Sequence, residues 1–217
     1  MALPDTLDRA SFMNILPIAN QTMWLPDQSE YNRTGGGEQL GADRGERLWQ
    51  GEIEIGRLRR SEAGLIETRL DLLNQAGRAF HVYDSRRPNP FSDPNLAVLG
   101  GIFPTIFSLE ADPRDLRLAG LPAGYVLTAG DYLSFLYAST RMALHRVVPS
   151  TVVAAGDGTT PVFEVAPAIK PGATTGTAVR LSQAFCKAVI VAGSVQPTRT
   201  RSTISEGLRF AYVQTVR

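Results

Sequence analysis

The chain has 217 residues, with 22 Lys+Arg against 21 Asp+Glu and 2 His, so its formal charge is +1. So even a balance supplies no long-range field to draw the chain onto nucleic acid or an anionic membrane, and no specific nucleic-acid binding is expected. Hydrophobic residues at 43% suffice for a sizeable core, while Gly 20 and Pro 14 point to many turns rather than to disorder.

The N-terminal residues carry Asp5, Asp8 and Arg9 and do not read as a signal peptide. Phe12 to Leu25 reads as one or two extended pieces ending at Pro26. The polar, glycine-rich stretch Asp27 to Arg44 lacks the apolar surface to offset the entropy of ordering it, so an exposed, mobile loop is expected. Residues 1–45 thus form an N-terminal extended segment and loop, and 46–217 the main β-rich domain. In 47–55 apolar residues recur at every second position, Trp49, Gly51, Ile53 and Ile55, with Gln50, Glu52 and Glu54 between them, the mark of a half-buried strand.

One helix follows, from Ser61 to Ala76. Ser61 is the expected N-cap, Glu62 complements the helix dipole, and Gly77 suits a left-handed C-terminal position. Ala63, Ile66, Leu70 and Leu73 recur at spacings of three and four, with Leu65 and Leu72 widening the stripe. After a strand at Ala79 to Asp84, the segment 85–104 reads as a long loop insertion, because Pro88, Pro90, Pro94 and Pro104 each remove a backbone donor.

Only strands are expected beyond it, at 105–111, 114–118, 132–137, 141–148, 162–166, 177–181, 185–191, 195–204 and 208–216. Leu133, Phe135 and Tyr137 share one face of a hairpin that turns through Ala138, Ser139 and Thr140, and Gly156-Asp157-Gly158 is a turn. The fold class is therefore mainly β (α+β): a β-sandwich or barrel with one packed α-helix. Ala188 to Ala192 is the longest apolar-leaning stretch, far short of the roughly 20 residues a spanning helix needs, so no membrane insertion is expected.

The residues supply little chemistry. His81 and His145 form no H-x-x-x-H or H-E-x-x-H pair, and a structural or surface role is expected for each. Cys186, the only cysteine, excludes an intrachain disulfide and reads as a buried, inert thiol beside Phe185. No G-x-S-x-G elbow or phosphate loop is present. Glycosidase carboxylates can come from distant strands, which leaves Glu52, Glu54, Glu110, Asp131 and Glu164 to consider. The alternation points Glu52 and Glu54 to solvent or a subunit, and Asp131 after Gly130 suits a turn. No cofactor is expected.

The order of short motifs is more telling. Leu48-Trp49-Gln50-Gly51-Glu52-Ile53 precedes the helix and Tyr83-Asp84-Ser85-Arg86-Arg87-Pro88 follows it. Then come Ala129-Gly130-Asp131-Tyr132-Leu133, Leu144-His145-Arg146-Val147, Gly156-Asp157-Gly158, Phe163-Glu164-Val165-Ala166-Pro167 and the last strand, Leu208 to Val213. Together they resemble tail proteins of long-tailed bacteriophages and prophages, of the distal-tail or tail-tip type. The likeness runs from Trp49 to the C-terminus; the first 45 residues and the long 85–127 region depart from it.

The resemblance implies a structural virion protein, assembled in the bacterial host cytoplasm and residing in the tail. Its partners would be itself, as a ring that is commonly a hexamer, the tail tube protein and the tail-tip hub protein. No catalytic residue is implied. Arginine suits bidentate interface pairs, and Arg141 and Arg146 on the expected hairpin are the subunit-interface candidates. A glycan-binding β-sandwich module or a tail tube subunit are the alternatives, with an enzyme ranking behind them.

Overall fold

The computed structural model describes residues 4–43, 45–138 and 141–216. In chain order the first elements are β1 (Thr6–Leu7), β2 (Ile18–Trp24), β3 (Ser29–Arg33), β4 (Gln39–Asp43), β5 (Gln50–Ile55), β6 (Leu58–Arg59), α1 (Arg60–Leu73) and β7 (Ala79–Tyr83). Past the long loop come β8 (Thr105–Leu109), β9 (Asp115–Ala119), β10 (Val126–Thr128), β11 (Tyr132–Tyr137), β12 (Arg141–Val147), β13 (Thr151–Val153) and β14 (Phe163–Ala166). The chain finishes with β15 (Val179–Arg180), β16 (Phe185–Ile190), β17 (Arg199–Arg201), β18 (Ile204–Glu206) and β19 (Arg209–Gln214).

Two six-stranded sheets organise these pieces, in the orders β1-β7-β16-β19-β5-β2 and β15-β11-β12-β14-β9-β8. In the first, β5 does what its alternation requires: Gly51, Ile53 and Ile55 are buried while Glu52 and Glu54 face out. Ala63, Ile66, Leu70 and Leu73 of α1 join the same core as Ile53, Phe80, Phe210 and Tyr212. Phe80 anchors it through edge contacts with Phe12 at 5.1 Å and Phe210 at 6.2 Å, arrangements that aromatic quadrupoles favour.

The second sheet nearly closes on itself. Thr105 of β8 bridges to Ala178 beside β15, and the Val179 N–H donates to Pro104 O at 2.7 Å, so the two edge strands meet. Leu116, Leu118, Leu133, Phe135, Val165 and Val179 fill the interior of this barrel. The mainly β architecture with one packed helix is thus the one the sequence pattern requires.

Several local expectations are corrected. The stretch expected as a loop at 27–44 contains the β3–β4 hairpin, with Tyr31 paired to Gly41. Its backbone groups satisfy one another across the pair, and the Thr34 N–H donates to Glu38 O at 2.8 Å to close the turn, so ordering needs little apolar surface. Arg44 lies outside the described residues, as do Ser139 and Thr140 of the expected hairpin turn.

The helix is capped two residues earlier than Ser61 would place it. Arg59 is the N-cap, and the Glu62 carboxylate accepts the Arg59 N–H at 2.9 Å, half of a capping box supplied by the N3 residue. It also ends earlier, at Leu73, and Leu65 points to solvent instead of widening the stripe. The single strand expected at 195–204 is broken by Ser202, whose φ of 54° turns β17 back on β18.

The segment 85–104 has neither strand nor helix, as its prolines require, yet it is tied down. The buried Asp93 carboxylate accepts the N–H groups of Ala97 and Leu99, both at 2.7 Å, and of Val98 at 3.2 Å. The Phe91 N–H donates to Asp131 at 2.9 Å.

Candidate functional site

The β11–β12 hairpin is the seam between the two sheets, and its side chains divide by strand parity. Met142 and Leu144 pack on the first core, while Ala143 and Val147 face the barrel interior. On β11, Tyr132 joins the first core and Leu133 and Phe135 the second. Both faces are therefore buried, which explains why this hairpin is richer in large apolar residues than a half-buried strand needs to be.

Arg146 shares its parity with Leu144 and so emerges where the two sheets meet. Its guanidinium carbon lies 4.9 Å from the Trp49 ring centroid and 5.4 Å from that of Tyr132. The two rings touch edge to face at 5.7 Å, and the Trp49 indole N–H donates to Leu144 O at 2.8 Å, so the platform under the arginine is fixed. The Arg146 Nε is buried and has no hydrogen-bond partner among the described residues.

A cleft opens beside this stack. Its inner part, about 340 Å³, is lined by Met23, Asp84, Arg86, Arg87, Gly130, Tyr132 and Arg146. Met23, Gly130 and Arg146 also line an adjoining outer part, which adds Trp24, Arg47 and Trp49.

Asp84 is buried and fully engaged. It accepts Arg86 Nε at 2.9 Å, Arg86 Nη2 at 2.8 Å, the Arg86 backbone N–H at 3.0 Å and the Tyr132 hydroxyl at 3.2 Å. Burial by itself would raise this carboxyl, but the hydrogen bonds and charge of Arg86, with the Tyr132 hydroxyl, outweigh burial and hold it below its ordinary value. Burial and the neighbouring Asp84 charge push Tyr132 up to about 12.

Asp84 compensates one of three guanidiniums. Arg87 and Arg146 have no carboxylate partner among the described residues. Arg87 lies over Gly130, where a Cβ would come 2.1 Å from its Nη1, so the glycine makes room for the guanidinium. A second polar hub holds this loop in place. Gln21, buried in β2, donates to Tyr83 O at 2.8 Å and accepts the Ser85 N–H at 2.8 Å.

The structure does not bring the two arginines singled out in the sequence together. Arg141 starts β12 and Arg146 lies near its end, five positions on and therefore on the opposite strand face. Arg146 is in the cleft, and Arg141 is exposed at the far end of the hairpin.

His145 is buried and structural. Its ring stacks on Phe135 at 5.1 Å, its Nδ1 lies 2.8 Å from Pro167 O, and burial lowers its pKa to about 4. His81 packs on Phe185 and is likewise lowered to about 4, by burial first and then by Arg9. Cys186 is buried, which pushes its thiol up.

The carboxylates considered for acid–base work have ordinary partners or positions. Glu52 pairs with Arg209 at 3.8 Å and Glu164 with Arg114 at 3.3 Å, both at the surface. Glu54 points outward from β5, and Glu110 accepts the Ser108 hydroxyl at 2.8 Å. Asp131 closes its turn by accepting the Thr128 N–H at 2.8 Å. Among the described residues no three His, Cys, Asp or Glu side chains gather as a metal site.

Arg47, Arg86, Arg87 and Trp24 were not legible as site residues. The Arg86-Arg87-Pro88 run directly after a strand was the one available signal, since a charged pair held at a strand end by proline is poorly placed for burial. No protein-family model matches the chain, and no curated protein matches it in sequence.

Proposed function

We propose that this chain is a structural tail protein of long-tailed bacteriophages and prophages, of the distal-tail or tail-tip type. It would form a ring that joins the tail tube to the tip hub, reside in the virion tail and carry no catalytic centre. The supporting observation is the apolar surface between 91 and 107: Phe91 is 79% exposed and Phe103 53%, with Val98, Ile102 and Phe107 also exposed. Monomeric soluble proteins seldom present so many large apolar side chains in one short segment, and burial against a neighbour gains about 25 cal/mol per Å². The ordered ties at Asp93 and Asp131 hold that segment ready for contact at little further entropic cost.

Light scattering on a sizing column, followed by electron microscopy of the purified protein and of intact tails, tests the reading. A ring, six-fold if the resemblance holds in detail, is the expected outcome. A stable monomer at high concentration that also fails to join a tail partner would overturn it. That result would move the glycan-binding alternative forward, with Trp24, 45% exposed at the cleft rim, as its first platform.

A further inference from the structure

We propose that the cleft between the two sheets is a receptor for a carboxylate on an acidic segment of a neighbouring protein chain. This deepens the assembly reading by naming the group that the seam accepts.

The argument begins with charge. Arg86 is satisfied by Asp84 through two side-chain hydrogen bonds, whereas Arg87 and Arg146 line the same cleft with no carboxylate partner among the described residues. Asp131, next to Gly130, accepts the N–H groups of Phe91 and Thr128 and forms no ion pair with either arginine among the described residues. Two guanidiniums lining one cleft favour an anion between them.

The second step is preorganisation. Arg146 is held on the Trp49–Tyr132 platform, so that fork is positioned before any ligand arrives, and Arg87 lies over Gly130 at the same cleft.

The third step is the shape and lining of the site. Arg86 and Arg87 lie at the inner end and Arg146 borders both parts, while Met23, Trp24, Leu25 and Val148, with Arg47, surround the adjoining outer part. A bare phosphate would use only the inner end. A glutamate or aspartate flanked by apolar residues would place its carboxylate between the arginines and lay its neighbours on Trp24 and Met23. The lining thus favours a peptide over a free ion.

The cleft carries its own reporter, because Trp24 and Trp49 both line it and are the only tryptophans in the chain. The experiment titrates the full chain with a blocked tetrapeptide of two glutamates flanked by leucines, reading intrinsic fluorescence. Its glutamine analogue and inorganic phosphate serve as parallel probes. A saturable change is expected with the glutamate peptide, weakening as salt rises, and none with the glutamine analogue.

Arg87→Gln should weaken binding about tenfold, the scale of one lost charge-assisted hydrogen bond. Arg87 is exposed, so its variant should melt with the wild type; Arg146→Gln tests the same point but removes ring packing as well. Absence of a saturable response, equal binding of the glutamine analogue, or unchanged binding in Arg87→Gln would each overturn the proposal. Saturation by phosphate without peptide binding would assign the cleft to a free oxyanion and overturn it too. Ring formation is read separately: a monomer that binds the peptide removes the ring and keeps the receptor, and a ring with no peptide response does the reverse.

Discussion

The chain uses one cross-strand device in two places. In the first sheet Tyr212 of β19 pairs with Gly51 of β5, and in the β3–β4 hairpin Tyr31 pairs with Gly41; in each case the ring covers the glycine. The surroundings differ. Tyr212 is 1% exposed, with its hydroxyl 3.3 Å from Thr22 O, whereas Tyr31 is 55% exposed. A Cβ at Gly51 would lie 2.0 Å from Thr22 O, a backbone atom held by β2, while at Gly41 it would meet only the Tyr31 ring edge, at 2.8 Å. The same pairing geometry is thus a rigid packing element in the sheet and a local accommodation in the hairpin. Burial, and not the pair, sets its energetic weight.

The largest expected contrast is in hydrogen exchange. Amides of β5 and β19 should exchange only through global opening, and those of β3 and β4 through local opening, with protection at least ~1,000-fold apart. Equal, strong protection of both in the isolated chain would show that the hairpin is part of the core.

Core truncation comes next. Phe80→Ala should cost about 3–5 kcal/mol by denaturant unfolding, because Phe80 contacts Phe12, Phe210 and Tyr212, while Tyr31→Ala should stay within about 0.5 kcal/mol. A large loss for Tyr31→Ala would place that side chain in a packed interface.

The histidine part of the response to acid falls on the body, since the hairpin contains no histidine. His145 is neutral when folded down to about pH 4 but protonates near 6.5 when unfolded, so the unfolded state binds the extra proton between these values. Stability is full above pH 6.5 and falls as pH drops toward 4, by on the order of 3 kcal/mol from His145. His81 shifts in the same direction and adds to the slope. Melting the protein at stepped pH should show the decline, and His145→Phe should flatten part of it. A profile unchanged by that substitution would mean that the buried ring does not govern it.

The finest comparison substitutes the two glycines themselves. Gly51→Ala should destabilise by about 1–3 kcal/mol through displaced backbone, and Gly41→Ala by a few tenths as the exposed ring swings aside. Similar melting temperatures for the two variants would erase the distinction between sheet and hairpin.

The sequence by itself determined the elements whose pattern repeats against a single core. β5 was legible because every second residue is buried, and α1 because Ala63, Ile66, Leu70 and Leu73 fall on one helical stripe. It also determined that 85–104 holds no ladder, since proline lacks the donor. The β3–β4 hairpin was not legible: Glu30 to Arg33 are all exposed, so no alternation marks the strand, and its order rests on backbone pairing.

Only the tertiary structure decided the cleft. Its residues come from Met23 and Trp24, Arg47 and Trp49, Asp84 to Arg87, Gly130 and Tyr132, and Arg146, segments up to 123 positions apart in sequence. No local spacing encodes their meeting, because it depends on which strands pair within each sheet and on how the two sheets pack along β12. Strand parity separated Arg146 from Arg141, but packing gave that parity its meaning by placing one core on each side of the strand.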